Sequence, residues 1–169
     1  MKVIVSSYNN DWVRLYEEEA EKIMDIFRDQ LLDIHHIGST SVPGLQAKPI
    51  IDILPILKNV KEADRQAHQM EMLGYESMGE YGLSGRRYFR KGGEQRTHHV
   101  HMYDVSSQYE IDRHLAFRDY LREHPQEAAS YGALKVRLSR TYPNDIEAYI
   151  EGKNNVIKLL ERKALGWRR

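Results

Sequence analysis

Residues 36–57 read HIGSTSVPGLQAKPIIDILPIL, and the fold is decided by how this stretch is parsed. It starts at the end of one apolar, β-branched run, residues 31–37, and finishes in another, residues 49–57; both have the length of buried strands. Between them lies a segment dense in Gly, Pro, Ser and Thr, which favours a tight connection. The reading is therefore strand, phosphate-sized turn, strand. Gly38 and Ser39 open the turn: small residues let an anion approach backbone N–H groups, and the serine hydroxyl adds a donor. Asp52 interrupts the second strand inside I-I-D-I-L, where an unpaired buried carboxylate is costly. It needs an open face or a cation, either Lys48 in a salt bridge or a metal ion. Phosphate at the turn and a cation on the aspartate together suit a metal-bound phosphate.

Upstream of this stretch, Trp12, Tyr16, Ala20, Ile23, Phe27 and Leu31 recur every three or four positions. They predict an amphipathic helix with Asn9 or Asn10 as its cap and Glu17, Glu18 and Glu19 largely on a solvated face. Downstream, Val60, Ala63, Ala67, Met70 and Leu73 predict a second helix ending at Gly74, long enough for a crossover between parallel strands. Residues 75–93 carry R-R-Y-F-R-K between turn signals and predict a short hairpin with Gly92-Gly93 as its turn. A third core strand is expected over residues 97–105, THHVHMYDV. Its alternation sets His99 and His101 on one face and His98, Val100 and Met102 on the other. Ser107 and Glu110 form a capping-box pattern, and helices are expected near 107–124, 126–140 and 144–164, bounded by Pro125 and Pro143. In the last of these Lys153 falls on the stripe made by Ile146, Tyr149, Val156, Leu160 and Ala164, so its amine either snorkels outward or faces a polar cleft.

With 169 residues, the chain fits a single domain, 1–169, comprising a core to about residue 105 and a helical segment from about 106. Its 25 basic and 25 acidic residues cancel, which argues against a surface that grips long nucleic acid and leaves small phosphorylated ligands open as partners. The lack of cysteine excludes disulfides and thiolate chemistry and suits a reducing cytoplasm, the expected location. No apolar stretch approaches the ~20 residues that a membrane-spanning helix requires.

Candidate chemistry gathers on the predicted strands. His99 and His101 share a face and can join Asp52 around a divalent ion, since neutral imidazole suits Zn²⁺, Mn²⁺ or Ni²⁺ better than Mg²⁺. The same pair equally serves to hydrogen-bond phosphate or, through His101, to act as acid and base. His35 and His36 are adjacent and point to opposite faces, so one of them packs or is exposed. Arg86, Arg87 and Arg90 supply either a fork for phosphate or the solvated edge of a hairpin. Lys48, Arg87, Arg90 and Lys153 are the cations expected to neutralise charge on the ligand.

The run H-I-G-S-T-S-V-P-G-L-x-A-K-P-I-I-D-I closely resembles the signature of the GrpB family. The resemblance continues through R-R-Y-F-R-K, the H-V-H at residues 99–101, L-A-F-R-D-Y-L-R at 115–122 and Y-G-A-L-K at 131–135. It implies an α+β fold with a nucleotidyltransferase-like mixed sheet flanked by helices and a C-terminal helical segment. In that superfamily a Gly-Ser turn holds nucleotide phosphates, and a D-x-D strand with a third carboxylate binds two metal ions. Gly38 and Ser39 match the turn and Asp52 the first carboxylate; Leu54 stands at the second, and His99 and His101 occupy the strand where a third is sought. The resemblance implies a nucleotide or phosphorylated small molecule as ligand, with Mg²⁺, Mn²⁺ or Zn²⁺ as cofactor. Two activities follow from it: metal-dependent nucleotidyl transfer, or non-catalytic binding, as in related modules fused to dephospho-CoA kinase and described as folding accessories.

Overall fold

The computed structural model describes residues 2–168. Helix α1 (Asp11–Phe27) leads into β1 (Leu31–Ile37), and the strand β2 (Ile51–Leu57) follows after the Gly38 turn. Two short helices, α2 (Glu62–Arg65) and α3 (Ala67–Met72), precede β3 (Tyr75–Ser77), β4 (Arg87–Lys91) and β5 (His98–Asp104). The chain then runs through α4 (Gln108–Glu123), α5 (Pro125–Thr141) and α6 (Ile146–Arg168). The five strands form one mixed sheet in the order β1-β2-β5-β4-β3. Only β2 and β5 pair in parallel, and the other three pairings are antiparallel; β3, the strand that follows the second helix, lies at the far edge and does not pair with β2.

Side-chain alternation sorts the two faces of this sheet. Ile51, Ile53 and Leu57 of β2, Phe89 of β4, and Val100 and Met102 of β5 face α1 and α3, where they pack with Trp12, Ile23, Phe27 and Met70. Each such side chain removed from water contributes roughly 1.5–3 kcal/mol, and this layer makes the sheet a rigid platform. The opposite face carries Asp52, Leu54, His99, His101 and Tyr103. Helix α4 covers part of it, packing Ile111 and Leu115 against Ile37, Leu54 and Tyr103. Helices α4, α5 and α6 share a second core around Tyr120, Leu121, Tyr131 and Leu160, to which Val42 and Leu45 of the segment between β1 and β2 contribute.

Several expectations need correction. The predicted second helix is broken at Gln66, whose φ −97° and ψ 9° leave the helical region and split it into α2 and α3. Gly92-Gly93 does not close a β3–β4 hairpin: it opens the β4–β5 turn, with Gln95 N–H donating to Gly92 O and Thr97 N–H to Lys91 O. Ser107 makes no side-chain cap to α4, and Glu110 pairs instead with Arg113; Asp104 accepts from the Ser106 N–H at the turn before the helix. Asn9 caps α1 through the Asp11 N–H, whereas the Asn10 side chain does not. Glu19 is not on a solvated face: it is buried against Tyr75 Oη (2.8 Å) and Lys91 Nζ (2.6 Å).

Candidate functional site

The turn after β1 is held in place from three directions. Gly38 adopts φ 73°, a left-handed region that favours glycine, and a Cβ there would stand 2.6 Å from Asp52 Oδ2. Ile37 is the register partner of Asp52 across β1–β2, which brings the glycine against the carboxylate. Thr40 Oγ1 donates to Ile50 O and pairs with His36 Nε2 at 3.0 Å. Arg118 donates to His36 O and Arg122 to Ser41 O, fastening the turn to α4. Burial pushes His36 down to about 4, so it is neutral at pH 7 and serves the turn. Neither His36, stacked on Tyr16, nor His35, paired with Asp33, lines the cavity described below.

Asp52, His99 and His101 converge. Asp52 and His99 are direct partners across the parallel β2–β5 pair, and His101 lies two residues further along the same face. His101 Nε2 is 3.2 Å and His99 Nδ1 3.4 Å from the same Asp52 Oδ1. Burial pushes the Asp52 carboxyl upward, but the hydrogen bonds from both imidazoles outweigh it and hold the group well below the usual carboxylate range. Burial lowers His101, leaving it neutral with its Nε2–H donated to Asp52. Its bare Nδ1 is buried with no partner among the described residues. Arg96 Nη1 approaches His99 Nε2 at 3.5 Å; a guanidinium only donates, so the contact favours a bare Nε2 and an Nδ1–H aimed at Asp52.

Three lysines face this triad across a cavity of about 230 Å³ lined also by Ser39, Thr40, Ile50, Asp52, His99 and Tyr149. Lys48 comes from the loop before β2, Lys135 from α5 and Lys153 from α6. Burial lowers all three amines, and mutual repulsion adds to it for the last two: Lys135 falls to about 6 beside Lys153, and Lys153 to about 8 beside Lys48. Asp52 is the one carboxylate whose charge opposes these shifts in each case. Lys135 Nζ donates to Ser39 Oγ at 2.8 Å and lies 4.5 Å from the Tyr131 ring centroid. The fully buried Tyr149 has no partner for its hydroxyl among the described residues, while Lys48 and Lys153 lie 5.7 and 4.8 Å from its ring centroid.

Of the residues expected from the sequence, Ser39, Lys48, Asp52, His99 and Lys153 line this cavity; Gly38 and His101 contact Asp52 just behind it. The arginines stand apart. Arg87 projects from the opposite face of β4 and grips Asp64 bidentately at 2.8 and 3.2 Å. Arg90 shares the face of His99 but is bound to Glu76 at 2.6 Å. Lys48 makes no ion pair with Asp52 within 4.0 Å among the described residues, and instead sits over Tyr149. Lys135, Arg96 and Tyr149 were not singled out from the sequence as site residues. Lys135 had a signal in the conspicuous Y-G-A-L-K run, but nothing local distinguishes it from an ordinary helix-surface lysine.

The chain matches a profile described as GrpB protein over residues 2–163. It belongs to the GrpB family. A crystal structure of the conserved protein GrpB from Enterococcus faecalis has a TM-score of 0.95 to this chain at 49% identity, covering 98% of this chain and 99% of that one. That agreement places the mixed α+β architecture within the GrpB fold. The UPF0157 protein YqkA of Bacillus subtilis is 45% identical over 168 residues, or 99% of this chain. This chain spans about half the length of that relative, 49%. The glutamate-rich protein GrpB of Alkalihalophilus pseudofirmus is 30% identical over 161 residues, 92% of each chain. No helix among the described residues is long and apolar enough to cross a membrane.

Proposed function

We propose that this protein binds a phosphorylated small molecule, such as a nucleotide, with its phosphate among Lys48, Lys153, Ser39 and the Tyr149 hydroxyl. One observation carries the reading: three buried amines line one small cavity beside Tyr149, whose buried hydroxyl has no partner among the described residues, with a single carboxylate to offset their charge. Such an arrangement is costly without an anion, and an anion relieves it. A resemblance to nucleotidyltransferase-like proteins, in which a Gly-Ser turn holds phosphate, supports the same placement.

Asp52, His99 and His101 fit a single divalent ion. Their donor atoms lie within 4.8 Å of one another, and the separations of 3.2 and 3.4 Å from Asp52 Oδ1 match ligands about 2.1 Å from a shared cation. Two imidazoles and one carboxylate favour Zn²⁺ or Mn²⁺ over Mg²⁺. Bound there, the ion would supply Lewis-acid polarisation of the phosphate, which Lys48 and Lys153 would orient. Leu54, fully buried against Ile37 and Tyr103, offers no second carboxylate, so the residues support one ion rather than a pair. The same leucine favours a second reading, binding without turnover.

Titration calorimetry of AMP, ribose 5-phosphate and inorganic phosphate, with and without Mn²⁺, tests the reading. Wild type binds at least one, and Lys48→Gln/Lys153→Gln weakens it tenfold or more. Failure of wild type to bind any of them refutes it. Metal-dependent turnover that disappears in Asp52→Ala refutes the binding-only alternative.

A further inference from the structure

The contact between Ser39 and Lys135 has the form of an activated nucleophile. Ser39 sits on the turn opened by Gly38, faces the cavity, and its Oγ is 2.8 Å from Lys135 Nζ. Lys135 is 1% exposed and reaches Ser39 from α5, 96 residues away in sequence. Tyr131, one helical turn earlier in α5, holds the amine over its ring, 4.5 Å from the centroid. A purely structural hydrogen bond does not require a lysine here, since a serine hydroxyl is satisfied by water or by backbone, while a buried amine without a carboxylate partner destabilises the fold. A nucleophile within reach of a base that is itself positioned by a third group is the arrangement used for covalent catalysis.

We propose that Ser39 is a nucleophile, with Lys135 as its general base, that takes a phosphoryl group from the phosphate ester held in this cavity. The step rests on the phosphate-binding reading above. The Ser39 Oγ–P bond forms as the bond from phosphorus to the ester oxygen breaks, and the Ser39 proton passes to Lys135 Nζ. Lys135 then returns that proton to the departing alkoxide. Water, deprotonated by the same amine, hydrolyses the phosphoserine, so that ester plus water gives alcohol plus phosphate. Lys48 and Lys153 stabilise the negative charge on the transferring group. The leaving alcohol has an exit: a second cavity of about 580 Å³, lined by Ile4, Pro49, Arg96 and Thr97, shares Lys48 and Ile50 with the first. Burial and the Lys153 charge keep Lys135 near 6, so the amine is mostly the free base at neutral pH.

p-Nitrophenyl phosphate is the probe, applied to the full chain. Its binding to wild type is measured by calorimetry, and covalent transfer by acid quench and peptide mass spectrometry. The expected result is one added phosphoryl group on the peptide holding Ser39, formed faster as pH rises through about 6 and levelling above it. It is absent in Ser39→Ala and in Lys135→Arg, which keeps an N–H donor for Ser39 but cannot act as base, both checked for folding by circular dichroism. Binding without any adduct on Ser39 overturns the nucleophile while leaving the phosphate-binding reading standing. A Lys135→Arg protein that labels as fast as wild type overturns the base. Absence of binding refutes both.

Discussion

Replacing Lys135 with methionine is expected to make the protein more stable at neutral pH. The amine titrates near 6 in the fold against an ordinary 10.5, because burial and Lys153 oppose its charge. In the unfolded chain it is protonated at pH 7, so folding must remove a proton at about 1.4 kcal/mol per unit between 10.5 and 7, or roughly 5 kcal/mol. Methionine has similar length and no charge. It forfeits the Ser39 hydrogen bond, worth about 1 kcal/mol, and some packing, leaving a net gain on the order of 3 kcal/mol. At this size that raises Tm by roughly 6–12 °C. The sign of the pH dependence follows from proton counts. Between about 6 and 10.5 the unfolded state binds the extra proton, so wild-type stability rises with pH while the variant lacks this contribution. The advantage of Lys135→Met is therefore largest near pH 6 and shrinks toward pH 10. Urea denaturation at pH 6, 7.5 and 9 measures it. A variant less stable than wild type, or an advantage independent of pH, refutes the claim that the site holds an uncompensated buried amine.

Other perturbations address separate parts of the site. Arg96→Ala should tighten Mn²⁺ binding about fivefold by dialysis, because metal on His99 Nδ1 places a proton on Nε2 facing the Arg96 donors, a repulsion of about 1 kcal/mol; equal or weaker binding contradicts the tautomer assignment. Sulfate, whose charge is constant in this range, should bind about tenfold more weakly at pH 9 than at pH 7, because Lys153 loses its proton through about 8; Lys153→Gln should bind weakly at both. Gly38→Ala should lower stability by roughly 2–4 kcal/mol in denaturant, from the positive φ and the clash with Asp52. An unchanged midpoint contradicts the tight approach of turn and carboxylate.

Much of the platform was legible from period-two alternation alone. The run over Leu31–Ile37 is β1 as read, and alternation in β5 placed His99 and His101 together and Val100 and Met102 in the opposite layer. Asp52 announced itself as a charge inside an apolar strand. Lys153 was visible as a lysine on an apolar stripe, and it does face a polar cleft. What escaped depends on long-range placement. Lys135 gains its meaning only when α5 meets the Gly38 turn, and Tyr149 passed as another apolar residue because the missing partner of its hydroxyl is a tertiary fact. Arg87 and Arg90 sit in one short run, yet Asp64 of α2 claims the first and Glu76, the cross-strand neighbour on β3, the second. The break at Gln66 interrupts an apolar spacing that continues on both sides of it, so the pattern gave no warning.

A crystal structure determined with Mn²⁺ and inorganic phosphate tests the account most directly. The expected result is an anomalous peak bounded by Asp52 Oδ1, His99 Nδ1 and His101 Nε2, with phosphate within hydrogen-bond reach of Lys48, Lys153 and the Tyr149 hydroxyl. Phosphate bound elsewhere at saturation, with these lysines and Tyr149 unchanged, would contradict it.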